Sequence, residues 1–161
     1  ATLIVFSDFQ CPFCKAFAKI VDSVHASHPS VRIVERSFPL TSIHPRAFDA
    51  AVAAGCAARV GRYWEMRRSL FADQALLEAG AWASIARTSG IADTVAFNRC
   101  MQGRQSVEQI ITDTLQASEL KLHATPTVIV NGLMFARPPD YKTLVRELRR
   151  READHDASGQ L

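Results

Sequence analysis

Cys11-Pro12-Phe13-Cys14 is the part of this 161-residue sequence whose residue types and spacing are suited to chemistry. Two thiols separated by two residues can close a disulfide, and an outside thiol can reopen it by exchange. The pair lies where a short apolar run, Thr2 to Phe6, passes through Ser7-Asp8-Phe9-Gln10 into a segment of helical periodicity. A cysteine at a helix start faces backbone N–H groups without intrahelical partners and the positive end of the helix dipole. Both favour an anion, so Cys11 is expected to be a thiolate at neutral pH, with a pKa within the roughly 3.5–7.5 range of such sites. Each unit of depression favours the charged form by about 1.4 kcal/mol. Only the reduced protein contains that thiolate, so stabilising it makes the disulfide more oxidising. Cys14, one turn further in and expected to be less exposed, would resolve a mixed disulfide by attacking Cys11.

Half of a zinc site is the competing reading, and it requires two further ligands. The sequence has no second Cys-x-x-Cys, and His25, His28, His44, His123 and His155 are scattered without ligand spacing. No metal and no other cofactor is therefore expected. The remaining cysteines, Cys56 and Cys100, bring the total to four, an even number that allows three pairings in an oxidising compartment. A domain of this size does not need disulfides to fold, so the close pair is the one expected to do chemistry.

The elements that position Cys11 follow from periodicity. Thr2 to Phe6 suits a strand buried on both faces. Pro12 fits the first turn of a helix, where its missing N–H costs nothing. Phe13, Phe17, Ile20, Val21 and Val24 recur at helical spacing, His28-Pro29-Ser30 ends that helix, and Val31 to Val34 reads as a second strand. This is a βαβ start, whose parallel strands need a crossover. From Pro45 to about Leu122 the β signal disappears. Helices are expected near residues 45–60, 62–72, 79–89, 92–102 and 107–120, punctuated by Gly61, Gly80 and Gly90. Ser106 and Gln109 predict a capping box for the last of these. Val107, Ile110, Ile111, Thr114 and Leu115 predict its apolar stripe. Thr127 to Val130, Asn131-Gly132 and Leu133 to Ala136 then read as a hairpin. Pro138-Pro139-Asp140 opens a final helix with Tyr141, Leu144, Val145 and Leu148 on one face, and the polar tail after Arg151 is expected to fray.

Composition sets the outer limits. The chain is 48% hydrophobic and carries a net charge of +3, which demands neither nucleic acid nor an anionic membrane as partner. Arg146, Arg149, Arg150 and Arg151 form the densest basic stretch, at the expected end of the last helix, where cations are favourable. No segment has the length of a membrane span. The longest apolar stretch, Ala50 to Ala58, contains Gly55 and is bounded by Asp49 and Arg59. Ala1 to Phe6 reads as a strand rather than a leader, and any tether would be a segment absent from this chain.

Taken in order, Phe6-Ser7-Asp8-Phe9-Gln10-Cys11-Pro12-Phe13-Cys14, Phe38-Pro39-Leu40, His44-Pro45, Tyr63-Trp64-Glu65-Met66 and Thr125-Pro126-Thr127 resemble the DsbA-like branch of the thioredoxin superfamily. The resemblance covers nearly the whole chain. It implies one α/β domain over 1–161, a thioredoxin fold (βαβ…ββα) with an inserted all-helical block. The thioredoxin parts would be about 1–40 and 122–152, with the insertion at about 45–121. It implies a cis peptide before Pro126, with Thr125 and Pro126 pairing with an extended substrate beside Cys11. Pro12 and Phe13 would join them in substrate binding, and Trp64 and Phe71 either line an apolar surface near the site or pack the core. It also implies a second disulfide between Cys56 and Cys100, against the alternative of two small buried hydrophobes. Relatives often place a buried glutamate six residues before the first cysteine as a proton acceptor, where this chain has Val5. Proton removal from Cys14 would then fall to water or another group. Asp8 is nearest in sequence, unless it serves as a turn residue that caps the helix.

The function this implies is a thiol–disulfide oxidoreductase, and first an oxidase acting on reduced exported proteins. It would work as a monomer outside the cytoplasm, with a membrane redox partner to reoxidise it. Family members vary the two residues between the cysteines, so Pro12-Phe13 does not by itself fix the redox potential, and the threonine before the proline occurs in isomerase-like as well as oxidase-like relatives. A disulfide isomerase or reductase therefore stays open, and behind it a redox-inert peptide-binding domain.

Overall fold

The structure is a computed structural model that describes residues 1–103 and 105–158, with side chains described up to residue 150 apart from 104. Strand β1 (Thr2–Ser7) leads into helix α1 (Pro12–Ser27) and strand β2 (Arg32–Ser37). Helices α2 (Ala47–Ala58), α3 (Tyr63–Ala72), α4 (Gln74–Glu78), α5 (Trp82–Thr88), α6 (Thr94–Gly103) and α7 (Val107–Glu119) follow. Strands β3 (Thr127–Val130) and β4 (Leu133–Met134) and helix α8 (Tyr141–Ser158) complete the order. The sheet runs β2-β1-β3-β4. β1 is parallel to β2 and antiparallel to β3, and β3 is antiparallel to β4. This is the thioredoxin arrangement with helices placed between β2 and β3.

Each face of the sheet has its own cover. Leu3 and Val5 of β1 and Val128 and Val130 of β3 pack with Phe17, Val21 and Val24 of α1 and Leu144, Val145 and Leu148 of α8. On the other face Phe6 and Ile129 pack with Ala117 of α7 and Leu122. The third and largest cluster belongs to the helical block, and Phe9, Cys11 and Cys14 are part of it. The Cys11–Cys14 pair is thus built into the seam between the sheet and the inserted helices.

Several expectations change in the folded chain. The short α4 was not foreseen; Asp73 caps it, accepting a hydrogen bond from the N–H of Ala75 at 3.0 Å. The α7 stripe is different. Ile110, Asp113 and Ala117 are buried, while Ile111 and Leu115 are 50% and 60% exposed. Asp113 turns inward because its carboxylate accepts bonds from Arg36 Nη1 at 2.9 Å, from the N–H of Ser37 at 2.8 Å and from Gln109 Nε2 at 2.8 Å. The capping box therefore does not form: Gln109 is spent on Asp113, and the Ser106 hydroxyl points to Cys56 Sγ at 4.0 Å. Phe71 is a core residue, and Trp64 packs partly buried against the sheet-side cluster, stacked on His25 at 4.0 Å. α8 continues past Arg151, where fraying was expected. The β3–β4 turn uses Asn131 and Gly132, both at positive φ, as a two-residue hairpin of this twist requires.

Candidate active site

Cys11 is the N-cap of α1, in extended conformation, and Pro12 occupies the first helical position. The preceding turn is held by Asp8. Its buried carboxylate accepts bonds from the N–H of Gln10 (2.8 Å) and the N–H of Leu40 (2.8 Å), and lies 2.8 Å from His44 Nδ1. Asp8 therefore neither caps α1 with its side chain nor offers Cys14 a free carboxylate. Its main chain does reach the cysteines: its carbonyl accepts from the N–H of Cys11 at 3.1 Å, and its N–H donates to Cys14 Sγ at 3.4 Å. The helical block adds further anchors. Gln74 Nε2 donates to the Phe9 carbonyl at 2.9 Å, and Gln10 bonds Glu78 and the N–H of Arg46. Phe9 packs on Phe71 with ring centroids 4.9 Å apart.

Cys11 and Cys14 are both reduced. Both residues are buried, Cys11 at 4% and Cys14, the less exposed of the two, at 2%. Cys11 Sγ lies 3.5 Å from the carbonyl oxygen of Thr125, and the Thr125–Pro126 peptide is cis. Two segments far apart in sequence thus meet at one sulfur. Pro126 and Thr125 are themselves buried, whereas Pro12 is exposed and Phe13 is 73% exposed beside the thiols.

The two thiols are electrostatically unlike. The Cys14 thiol, by hydrogen bonding to Cys11, holds the Cys11 thiol down at about 5, against the opposing effect of burial. Thr125 and the N–H groups of Cys14 and Phe13 lower it further. The helix start contributes as expected, but the partner thiol contributes most. Cys14 moves the other way: burial, and then its bond to Cys11, push its thiol well up. One thiolate and one thiol sharing a proton is an arrangement that attacks disulfides with Cys11 and keeps Cys14 protonated until it is needed.

A buried acid that sequence reading did not single out sits one strand away. Glu35 on β2 is the register partner of Val5 on β1. Its carboxylate accepts from Arg67 Nε at 2.8 Å, and Arg67 Nη1 also bonds Asp22 at 2.7 Å. Burial pushes the Glu35 carboxyl above its ordinary range, partly offset by Arg67. Arg67 lies over the rings of Trp64 and Phe71, 5.4 Å from each centroid. Glu35 falls just past the Val31 to Val34 run read as a strand and is flanked by Arg36 and Ser37, so nothing in the local pattern marked it as buried.

Cys56 on α2 and Cys100 on α6 are joined by a disulfide, with Cα atoms 5.9 Å apart. No group of three or more His, Cys, Asp or Glu suited to a metal ion occurs among the described residues.

Residues 1–149 match the family model described as Thioredoxin. A curated relative, the Na(+)/H(+) antiporter NhaA 1 of Mycolicibacterium gilvum (strain PYR-GCK), is 38% identical over 152 residues, covering 91% of this chain and 24% of that protein. The chain spans about a quarter of the length of the curated relatives it matches. Among solved structures, a thioredoxin-like oxidoreductase from Silicibacter pomeroyi DSS-3 superposes with a TM-score of 0.80 at 24% identity, covering 94% of this chain and 86% of that one. The thiol-disulfide exchange protein alpha-DsbA2 from Wolbachia pipientis gives 0.78 at 18% identity, covering 92% and 80%.

Proposed function

The chain belongs to the thioredoxin family and has the DsbA-like form of its fold, and from that premise we propose that it is a thiol–disulfide oxidoreductase working as a dithiol oxidase. The observation that carries the direction is the Cys11 thiol held at about 5. A thiolate this stable favours the reduced pair, so the Cys11–Cys14 disulfide gives up its oxidised state readily to a substrate dithiol. The substrate thiolate attacks Cys11 Sγ and releases Cys14, which takes a proton. The substrate's second thiolate then attacks its own sulfur in the mixed disulfide. A disulfide forms in the substrate, and Cys11 leaves as the stabilised thiolate.

The backbone of Thr125 and the exposed Pro12 and Phe13 present a strand-like and apolar edge to an extended peptide next to Cys11. Reduced exported proteins are the substrates we assign, with an extracytoplasmic location and a monomeric working form. The Cys56–Cys100 disulfide supports that location, since such bonds persist in oxidising compartments. A membrane redox partner would restore the Cys11–Cys14 disulfide. Among the described residues no helix is long and apolar enough to cross a membrane. The deciding experiment is equilibration of the Cys11–Cys14 pair with glutathione buffers. An oxidase gives a potential nearer to about −120 mV than to about −180 mV. A value at or below the latter would move the assignment to isomerase or reductase.

A further inference from the structure

Away from the Cys11–Cys14 site, the helical block holds a cavity of about 620 Å³ with the Cys56–Cys100 disulfide in its wall. Val60, Ile91 and Phe97 line it with apolar surface, and the exposed Arg59 and Arg62 add positive charge. Arg62 bonds Glu65 at 3.2 Å, while Arg59 has no ion-pair partner among the described residues. The single acidic lining residue, Asp93, has its carboxylate engaged by the N–H of Ala96 at 2.9 Å. The two sulfurs of the wall are not equivalent. Cys100 is 9% exposed and Cys56 3%. The Ser106 hydroxyl donates to Cys56 Sγ at 4.0 Å. Ser106 reaches so close because Gly55 has no side chain: a Cβ there would lie 2.4 Å from Ser106 Cβ and Oγ.

We propose that this cavity is a second thiol-exchange site, in which a small anionic thiol reduces the Cys56–Cys100 disulfide. The arginines draw the anion in and the apolar wall seats its body. The small-molecule thiolate attacks Cys100 Sγ, on the more exposed of the two residues, and the S–S bond breaks toward Cys56. Cys56 leaves as a thiolate, helped by the Ser106 hydroxyl, and takes a proton from solvent; a better-stabilised leaving thiolate departs faster. A second small thiol then attacks the bound molecule's sulfur, freeing Cys100 as a thiolate that is likewise protonated. Two small thiols become one small disulfide, and two electrons pass to the protein. The reaction unties α2 from α6, and both helices contribute to the cluster that holds Phe9, Cys11 and Cys14. The redox state of the cavity thereby bears on the packing around the first site.

The test uses the full chain carrying Cys11→Ser and Cys14→Ser, which leaves Cys56–Cys100 as its only disulfide. Glutathione is the anionic thiol and 2-mercaptoethanol the neutral one, and reduction is followed by alkylation and mass spectrometry. Arg59→Ser with Arg62→Ser should slow reduction by glutathione at least threefold and leave the 2-mercaptoethanol rate unchanged. Arg59→Ser alone should give the same selectivity in smaller degree, which covers the case of a poorly folded double variant. Added salt should reproduce the effect in the parent chain. With Cys56→Ser in the same background, the Cys100 thiolate should attack glutathione disulfide, forming a Cys100–glutathione mixed disulfide and releasing one glutathione thiolate, and with Cys100→Ser the Cys56 thiol should form far less of its adduct. Equal slowing of both thiols, no slowing of either, or equal capture on the two cysteines would overturn the proposal.

Discussion

Val5 and Glu35 face the same side of the sheet as register partners on the parallel strands β1 and β2. Glu35, a buried acid, thus stands on the strand beside Val5 and is paired with Arg67 from α3. Asp22 of α1 joins the same ionic cluster, so helices α1 and α3 and strand β2 are tied together through Arg67.

Arg67→Met should remove about 3–5 kcal/mol of stability, since it leaves two carboxylates without their buried cation. The pH dependence follows from Glu35, whose carboxyl is raised by burial above 4.5. A raised acid binds its proton more tightly folded than unfolded, so stability falls as pH rises from about 4.5 through the folded value. That fall should steepen in Arg67→Met and flatten when Glu35→Gln is added, as read by urea unfolding across pH.

The Cys11 thiol, lowered to about 5, makes the opposite contribution in the reduced protein. A depressed acid stabilises the fold above its unfolded pKa, and that contribution is lost as pH falls through the folded one. The unfolding free energy of the reduced form, measured against the oxidised form, should rise between about pH 5 and about pH 9 and turn down beyond, where the Cys14 thiol, held up by burial, stays protonated in the fold but ionises in the unfolded chain. Thiolate absorbance in the ultraviolet should titrate with a midpoint near 5. A midpoint above 7 would contradict the site electrostatics.

Because the Cys14 thiol is the leading stabiliser of the Cys11 thiolate, Cys14→Ala should raise the Cys11 pKa more than Cys14→Ser, whose hydroxyl still donates. Cys14→Ser should also trap mixed disulfides with peptide thiols, and Cys11→Ser should trap none. Titration of each variant, with mass spectrometry of the adducts, separates the roles. Equal trapping by both would reverse the assignment.

Replacing Cys56 and Cys100 together by alanine should lower stability by about 2–4 kcal/mol while dithiol oxidation by Cys11–Cys14 continues. The bond closes a separation of 44 residues between α2 and α6, well away in sequence from the turn that activates Cys11. Denaturant unfolding and an insulin-type peptide oxidation assay read the two effects independently. Loss of activity in a folded double variant would instead give the pair a part in the reaction at the first site.

What the sequence determined by itself was everything carried by neighbours along the chain. The strand-to-helix handover at Cys11, the proline in the first turn and the Asn131-Gly132 hairpin are local preferences of a few residues, and the structure has each of them. The parallel β1–β2 pair and the β3–β4 hairpin followed from that reading, while the placing of β3 antiparallel beside β1 came with the fold. Tertiary structure decided what depends on partners distant in sequence. The buried face of α7 could not be read from its apolar residues, because Asp113 is drawn inward by Ser37, 76 residues away. Ser106 gives up its capping role for a sulfur 50 residues back. Glu35 is tolerated inside the sheet only because Arg67 arrives from a helix of the inserted block. The Cys11 thiolate itself rests first on the placement of the Cys14 thiol, which periodicity puts one turn away but does not orient. Hydrogen bonds and ion pairs in a water-poor interior are strong enough to override an apolar pattern, and folding alone chooses which groups they join.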